Sequence, residues 1–153
     1  MNICLGGTFD QFHKGHQTLI TKALQVAGAK GTVFIGITSD SMIRKKGGAA
    51  SFEQRKQYVK EYLRNIDAHP RTIIQPINDP YGPAVTGDFD AIVVSPETEP
   101  TAKAINKQRR QQHKKPLQII LVPFVLAEDG APISSTRIRK GEIDKNGTLL
   151  KKE

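Results

Sequence analysis

Short apolar runs alternate with helix-like segments along the whole chain, and this alternation constrains the fold more than any other feature. The runs are rich in β-branched and aliphatic residues, as in the TVFIGIT stretch. Strands without a polar face are typical of a parallel sheet that is buried on both sides. The predicted strands are residues 3–5, 32–38, 71–77, 91–94 and 117–123.

The segments between these strands have helical spacing of their apolar residues. Ser51 and Gln54 are spaced as a capping box, which predicts a helix that continues to about residue 65. Strands separated by helices indicate crossover connections. We therefore predict an α/β fold in which a five-stranded parallel sheet has helices on both faces. The other predicted helices are residues 17–27, 102 to about 113 and 135–140.

Length and composition favour a single globular domain. The 153 residues suffice for one domain, 1–153, and the polar residues from about 142 onward are expected to form a loose tail. The chain lacks an apolar run of the ~20 residues that a membrane span requires, and its first residues do not form a signal peptide. We expect a cytoplasmic protein without a membrane partner. The single cysteine, Cys4, excludes an intrachain disulfide and is expected in the core.

The chain is basic, with 23 lysines and arginines against 15 acidic residues, a net charge of +8. Such an excess predicts anionic partners. One basic cluster, at 103–115, is either a solvated helix face or a ligand contact, and Arg44, Lys45 and Lys46 form a second. Aromatic residues make up only 6% of the chain and are not interleaved with the basic clusters. A stacking surface for nucleic acid is therefore not expected.

The segment GGTFDQFHKGH links the first strand to the first helix. Ligands of parallel sheets bind at the carboxyl ends of the strands, and glycines there allow a close backbone approach. His13, Gly15 and His16 stand at the start of the helix, whose amides and dipole favour a phosphate. The histidines could also be helix caps or metal ligands, although neither a cysteine nor a carboxylate completes a ligand set.

This segment resembles the Gly-Thr-Phe-Asp-x-x-His-x-Gly-His signature of the nucleotidyltransferase superfamily that includes class I aminoacyl-tRNA synthetases. The resemblance implies a Rossmann-like sheet and cleavage of a nucleoside triphosphate between its α- and β-phosphates. It implies that Mg²⁺ enters with the triphosphate instead of on protein ligands. His13 and His16 would contact the triphosphate near the α-phosphate, and Thr8 would lie between the nucleotide and the attacking phosphate. The implied ATP site also includes Gly7, Phe9 and Gly15.

A second segment, ISSTRIR at 133–139, begins the last predicted helix. Its hydroxyl residues could simply be caps. An arginine at the positive end of a helix is disfavoured unless an anion lies there too. The segment resembles the Ile-Ser-Ser-Thr-x-x-Arg signature of adenylyltransferases. That resemblance implies that Ser134, Ser135 and Thr136 bind the β- and γ-phosphates, with Arg137 or Arg139 neutralising the pyrophosphate.

The middle of the chain concerns the acceptor. The segment DPYGPA after the third strand and VVSPET at the fourth resemble the archaeal and eukaryotic phosphopantetheine adenylyltransferases, a likeness that spans residues 2–139. The resemblance implies transfer of an adenylyl group from ATP to 4′-phosphopantetheine. Ser95-Pro96-Glu97 replaces the Gly-Leu-Arg of bacterial forms, so Arg109 or Arg110 would take over its contacts. Besides Thr8, the implied acceptor residues are Lys45, Lys46, Asp79, Tyr81 and Arg109, and Ser95 joins the ATP site.

The expected chemistry needs no general base, because a phosphomonoester is already ionised near neutral pH. Alignment of two phosphates and neutralisation of charge can supply the catalysis. We predict that His13, His16 and Lys46 are catalytic. The alternatives are an adenylyltransferase for FMN or nicotinamide mononucleotide, a cytidylyltransferase, and an RNA-binding module. The cytidylyltransferases normally carry an Arg-Thr-x-Gly-Ile-Ser signature that this chain lacks.

Overall fold

Five parallel strands form one sheet in the order β3-β2-β1-β4-β5 in the computed structural model, which describes residues 1–43 and 49–150. The predicted Rossmann-like α/β fold is confirmed. The predicted strands are all present; two have the predicted boundaries, and the boundaries of the other three shift by one or two residues. They are β1 (Asn2–Gly7), β2 (Thr32–Thr38), β3 (Thr72–Ile77), β4 (Ala91–Val94) and β5 (Gln118–Leu121).

Helices cover both faces of this sheet. Alternate residues of β1 point to opposite faces: Ile3 and Leu5 join one buried apolar cluster, and Cys4, 3% exposed, joins the other. The first cluster also contains the apolar residues of the first and third helices, and the second contains those of the fourth. The helices are α1 (Lys14–Ala27), α2 (Asp40–Ile43), α3 (Phe52–Asn65), α4 (Glu99–Gln111) and α5 (Ser135–Arg139).

Side-chain caps mark the starts of α1 and α3, whereas α4 begins three residues before the predicted start without a side-chain cap. Ser51 caps α3 as predicted, because its Oγ accepts from the amide of Gln54 at 3.2 Å. Helix α1 begins three residues before the predicted start, since the side chain of His13 is its cap. Helix α2 was not predicted, because its four residues are too few for a periodic pattern. Within the described residues, no helix is long and apolar enough to cross a membrane.

The C-terminal segment 142–150 differs from the predicted loose tail. Ile143 is fully buried in a small cluster with Ala127 and Ile133. The carbonyl of Lys145 accepts from the amide of Lys14 at 3.0 Å, which anchors the segment at the start of α1. The polar composition concealed one buried apolar residue and the backbone hydrogen bonds around it, and these are enough to fix the segment in place.

Candidate active site

The order in which strands are added to the sheet changes direction between β1 and β4. This topological switch point defines the position of the crevice. From β1 the chain proceeds to β2 and β3 on one side, and from β4 to β5 on the other. In open parallel sheets, ligands bind at the carboxyl ends of the strands at such a switch point. Gly7 ends β1 and Ser95 directly follows β4. The segment after β1, residues 8–16, is called the signature loop below and borders this crevice.

The signature loop has an unusual backbone that buried side chains hold in place. Phe9 and Gln11 have φ angles of 54° and 48°, in the left-handed region. Each such conformation costs about 1 kcal/mol or more in a residue with a side chain. Phe9 is 2% exposed and Asp10 3%, so both side chains are anchored inside the protein. Backbone strain of this kind is typical of functional loops.

His13 and His16 form a stacked pair at the start of α1. Their ring centroids are 3.7 Å apart with an interplanar angle of 20°. Nδ1 of His13 accepts from the amide of Gly15 at 3.0 Å, and Nδ1 of His16 accepts from the amide of His13 at 3.1 Å. The ring of Phe12 also stacks with that of His16, at 5.6 Å between centroids. Backbone amides and aromatic packing thus fix both imidazoles.

These contacts also set the protonation of both rings. A nitrogen that accepts a hydrogen bond carries no proton, so each neutral imidazole holds its proton on Nε2. Burial lowers the pKa of His13 from 6.5 to about 4. Burial and the charge of His13 lower the pKa of His16 from 6.5 to about 3. At neutral pH the pair therefore offers two Nε2–H donors without net charge.

The helix start itself has fewer available amides than the sequence suggested. The amide of Lys14 donates to the carbonyl of Lys145, and that of Gly15 to His13. Gly15 is nevertheless required by the His13 ring. A Cβ atom at position 15 would lie 2.8 Å from Cε1 of His13 and 3.0 Å from Nδ1. Contacts under 3.0 Å are not tolerated, so a larger residue there would displace the imidazole.

The second signature segment packs directly against the signature loop. Ser134 caps α5, its Oγ accepting from the amide of Arg137 at 3.2 Å. Oγ of Ser135 donates to the carbonyl of Asp10 at 2.5 Å, and Arg139 forms an ion pair with the Asp10 carboxylate. Thr136 is exposed in the first turn. The structure thus brings together the two segments that the sequence singled out separately.

Arg137, which was predicted to bind in the ATP site, has its guanidinium paired with two carboxylates of the protein. Its guanidinium forms ion pairs with Asp129 at 2.5 Å and with Glu142 at 2.9 Å. The hydrogen bonds to Asp129 and Glu142 raise the pKa of Arg137. The hydrogen bond between Arg137 and Asp129 also lowers the pKa of Asp129. The anion that compensates this arginine is therefore supplied by the protein. Of the two arginines considered, Arg139 is the one beside the signature loop.

The predicted acceptor residues after β3 have local structural contacts. Oδ1 of Asp79 accepts from the amides of Tyr81 and Gly82, both at 2.9 Å, and so stabilises the turn. The ring of Tyr81 packs against the second apolar cluster. Ser95 also begins a turn, its amide donating to Oγ1 of Thr98 at 3.1 Å. A ligand role for these three residues stays a prediction.

Arg109, which was predicted as an acceptor residue, is a buried arginine whose guanidinium is bonded to backbone carbonyls. It is 5% exposed. Its guanidinium donates to the carbonyls of Lys115, Ala84 and Gly87 at 2.8, 2.8 and 2.9 Å. A guanidinium bonded to these carbonyls is engaged inside the protein. The remaining basic residues of this region are exposed, as a solvated helix face would be: Lys103, Lys107, Arg110, Lys114 and Lys115.

Lys45 and Lys46, predicted to contact the acceptor and to screen charge, lie with Arg44 outside the described residues. Thr8 lies within them, half-buried in the signature loop. Its carbonyl accepts from Nη1 of Arg55 at 3.0 Å.

Sequence reasoning missed Asp10 and Arg55. Asp10 could have been found as the only acidic residue of the signature loop, since a carboxylate there invites a cationic partner. Arg55 gave no comparable signal. It sits among charged residues early in α3, at a position typical of a solvated helix face, yet its exposed fraction is 0%.

The comparisons with known proteins identify the family. The sequence profile of the cytidylyltransferase-like family matches residues 4–141, so the chain belongs to that wider family of nucleotidyltransferases. A phosphopantetheine adenylyltransferase from Methanosarcina barkeri is 48% identical over 97% of this chain and 92% of its own length. One from Methanosarcina mazei is 47% identical over 97% of both chains. The chain belongs to the phosphopantetheine adenylyltransferase family, as the sequence predicted.

A solved structure supports the fold independently. A protein of unknown function from Archaeoglobus fulgidus superposes with a TM-score of 0.72 at 36% sequence identity. The match covers 80% of this chain and 89% of the other.

Proposed function

We propose that this protein transfers the adenylyl group of ATP to 4′-phosphopantetheine and releases dephospho-coenzyme A and pyrophosphate. The observation that carries the proposal is the junction of both signature segments at Asp10. Through it, Arg139 is joined to the signature loop that carries the His13–His16 pair and that follows β1 at the switch point of the sheet. The names of the relatives, at 47–48% identity over nearly the full length, support the choice of acceptor.

The reaction is an in-line attack of the acceptor phosphate on the α-phosphate of ATP. The attacking oxygen is already ionised, so no side chain has to remove a proton. The Nε2–H groups of His13 and His16 would donate to phosphate oxygens on which negative charge increases. Being neutral, they cannot form a tight ion pair with the ground-state triphosphate, and this leaves their hydrogen bonds free to strengthen in the transition state.

Arg139, and not Arg137, is the proposed partner of the pyrophosphate. Its side chain remains 32% exposed while it contacts Asp10, whereas that of Arg137 is 18% exposed and bound to two carboxylates. The proposed phosphate contacts further include the amide of Gly7 and the hydroxyls of Ser134 and Thr136. The amide of Gly15 and the hydroxyl of Ser135 would first have to give up their hydrogen bonds to His13 and to the Asp10 carbonyl. Lys46 is proposed to reduce the repulsion between the two phosphates. Thr8 is proposed to lie between them.

Mg²⁺ fits this site as a companion of the triphosphate. Among the described residues, His, Cys, Asp and Glu side chains do not converge in a group of three that could hold a metal ion. Mg²⁺ is commonly bound through substrate phosphates and water with one or two protein oxygens. When bound in that way, it would supply further neutralisation of the leaving pyrophosphate.

A panel of acceptors tests the proposed function. The protein is incubated with Mg²⁺ and either ATP or CTP, together with 4′-phosphopantetheine, FMN or nicotinamide mononucleotide, and pyrophosphate release is measured. We expect turnover with ATP and phosphopantetheine. Turnover with another pair, and none with this one, would overturn the proposal.

Variants of the histidine pair test the site. We expect His16→Ala to lower kcat by several powers of ten while the protein stays folded. Exposed His113 provides the matched control, and His113→Ala should retain turnover. Near-normal turnover of His16→Ala would remove the imidazole pair from the mechanism.

A further inference from the structure

Arg55 is a buried arginine that the proposed reaction has not yet used. It lies in the first turn of α3 with an exposed fraction of 0%. Its Nε donates to the carbonyl of Ala50 at 2.9 Å. Its Nη1 donates to the carbonyls of Thr8 at 3.0 Å and Thr38 at 2.7 Å, and to Oγ1 of Thr38 at 3.0 Å. One side chain therefore connects the signature loop, the carboxyl end of β2 and the start of α3.

The charge of Arg55 is compensated mainly by these carbonyls. The Asp40 carboxylate is the only ion-pair partner found among the described residues, at 3.4 Å, and its side chain is 62% exposed. Burial lowers the pKa of Arg55, and Asp40 opposes this effect. A cation that is buried without a close counter-ion is costly. A planar guanidinium with five donors can nevertheless hold several carbonyls in one fixed geometry, which a lysine cannot do.

The geometry of Thr8 follows from this contact. Because its carbonyl is held by Nη1 of Arg55, the peptide between Thr8 and Phe9 has a fixed orientation. Phe9 then takes its left-handed φ of 54°. The same peptide plane therefore determines where the Thr8 side chain leaves the backbone at the edge of the crevice.

We propose that Arg55 is a positioning residue that aligns the acceptor phosphate through Thr8. This inference depends on the proposed function, in which Thr8 lies between the two phosphates. Arg55 does not itself touch substrate. Its loss leaves the His13–His16 pair and the second signature segment in place, so ATP binding is preserved while the attack geometry is lost. A misplacement of about 1 Å can cost about a hundredfold in rate.

Arg109 offers a matched control, because it is also a buried arginine whose guanidinium donates to backbone carbonyls of two separate segments, at Lys115 and at residues 84–87. It lies in α4, on the opposite face of the sheet from α3. Arg55→Lys and Arg109→Lys should both lower the midpoint of urea unfolding. We expect only Arg55→Lys to lower kcat, by about tenfold to a hundredfold. The Kd of ATP should change less than about threefold, which is under about 1 kcal/mol in binding free energy.

A double variant tests whether Arg55 acts through Thr8. In a Thr8→Ala background, Arg55→Lys should lower kcat less than about twofold further, since coupled residues are non-additive. If Arg55→Lys fails to fold, Thr38→Val serves instead, because it removes one acceptor of the guanidinium, Oγ1 of Thr38. It should lower kcat by less than the roughly tenfold to hundredfold expected for Arg55→Lys. Equal kcat losses for the two lysine variants, or additive losses with Thr8→Ala, would overturn the inference. All variants are assayed with the acceptor that the unaltered protein uses, so failure of the proposed function is seen separately in the acceptor panel.

Discussion

The carboxylate of Asp10 and the guanidinium of Arg139 form an ion pair although 129 residues separate them in the sequence. The Asp10 side chain is 4% exposed and that of Arg139 is 32% exposed. Oδ1 of the same carboxylate accepts from the amide of Ala50 at 3.2 Å. Asp10 is thus shared by the signature loop, α5 and the segment before α3.

Removing the charge of Asp10 should reduce both stability and turnover. We expect Asp10→Asn to lower the free energy of unfolding by about 3 kcal/mol, because it leaves a partly buried arginine without its counter-ion. The KM of ATP should rise, since Arg139 is no longer held beside the loop. Urea unfolding and steady-state kinetics measure the two effects.

A double-mutant cycle with Arg139→Gln is the control. The loss in the double variant should be smaller than the sum of the two single losses, as expected for residues in contact. Additive losses would show that the ion pair does not couple the segments in solution.

The pKa values of the histidine pair predict the pH dependence of stability. In the folded protein, the pKa values of His13 and His16 lie at about 4 and 3, below the ordinary 6.5. As pH falls, the unfolded chain therefore binds protons before the folded one does. Stability from this source is fully present above about pH 6.5 and is lost progressively as pH falls toward 4. Urea unfolding at a series of pH values measures the slope, which His13→Ala should reduce.

The same pKa values make a prediction for the rate. Both imidazoles remain neutral between pH 5 and 8, so neither should titrate in the pH profile of kcat/KM. An acid limb near pH 6 is expected from the acceptor phosphate, whose second pKa is about 6. NMR titration of the imidazole signals of His13 and His16 checks the assignment. A titration midpoint near pH 6.5 for the His16 imidazole signal would show that the pair is not held neutral by burial.

A methyl group at position 15 should disable the His13 ring. The Cβ of Gly15→Ala would lie 2.8 Å from Cε1 of His13, so we expect kcat to fall at least about tenfold as the ring moves. Steady-state kinetics measures this fall. In a His13→Ala background the methyl group has space, and Gly15→Ala should then have little additional effect. A second large loss in that background would mean that the glycine serves the ligand directly.

The single cysteine reports on the integrity of the sheet. Burial raises the pKa of Cys4 to about 12, and its exposed fraction is 3%. The thiolate is the reactive form, so a disulfide reagent at pH 8 should label the native protein far more slowly than the unfolded one. The reagent releases a coloured thiol when it labels Cys4, so absorbance measures the labelling rate of the native and of the unfolded protein. Equal rates would mean that β1 opens readily.

The sequence predicted the sheet because both of its faces are apolar. The runs at 32–38 and 91–94 carry β-branched residues without polar alternation, and the structure places these strands within the predicted boundaries. The helices were predicted less well at their starts, because the side chain of His13 serves both as a cap and as a part of the site. The apolar pattern begins only at residue 17, and the sequence left open whether His13 and His16 cap the helix.

Long-range partners explain the contacts of arginines that the sequence pattern did not predict. Arg109 and Arg55 both appear in charged helical segments, and the sequence does not reveal which arginine faces a carbonyl-lined interior. Arg137 was chosen for its position in α5, but Asp129 and Glu142 bind it from neighbouring segments. Each of these outcomes depends on where a distant backbone carbonyl or carboxylate lies.

The central position of β1 has a consequence for synthesis of the chain. As the protein leaves the ribosome, β1 can pair with β2 early, but its other edge stays open until residues 91–94 have emerged. An open strand edge is a site for wrong pairing. The signature loop waits longer still, because Ser135 and Arg139 reach Asp10 only when the last helix exists. A truncated product that lacks α5 would therefore contain the sheet and yet have an unformed nucleotide site.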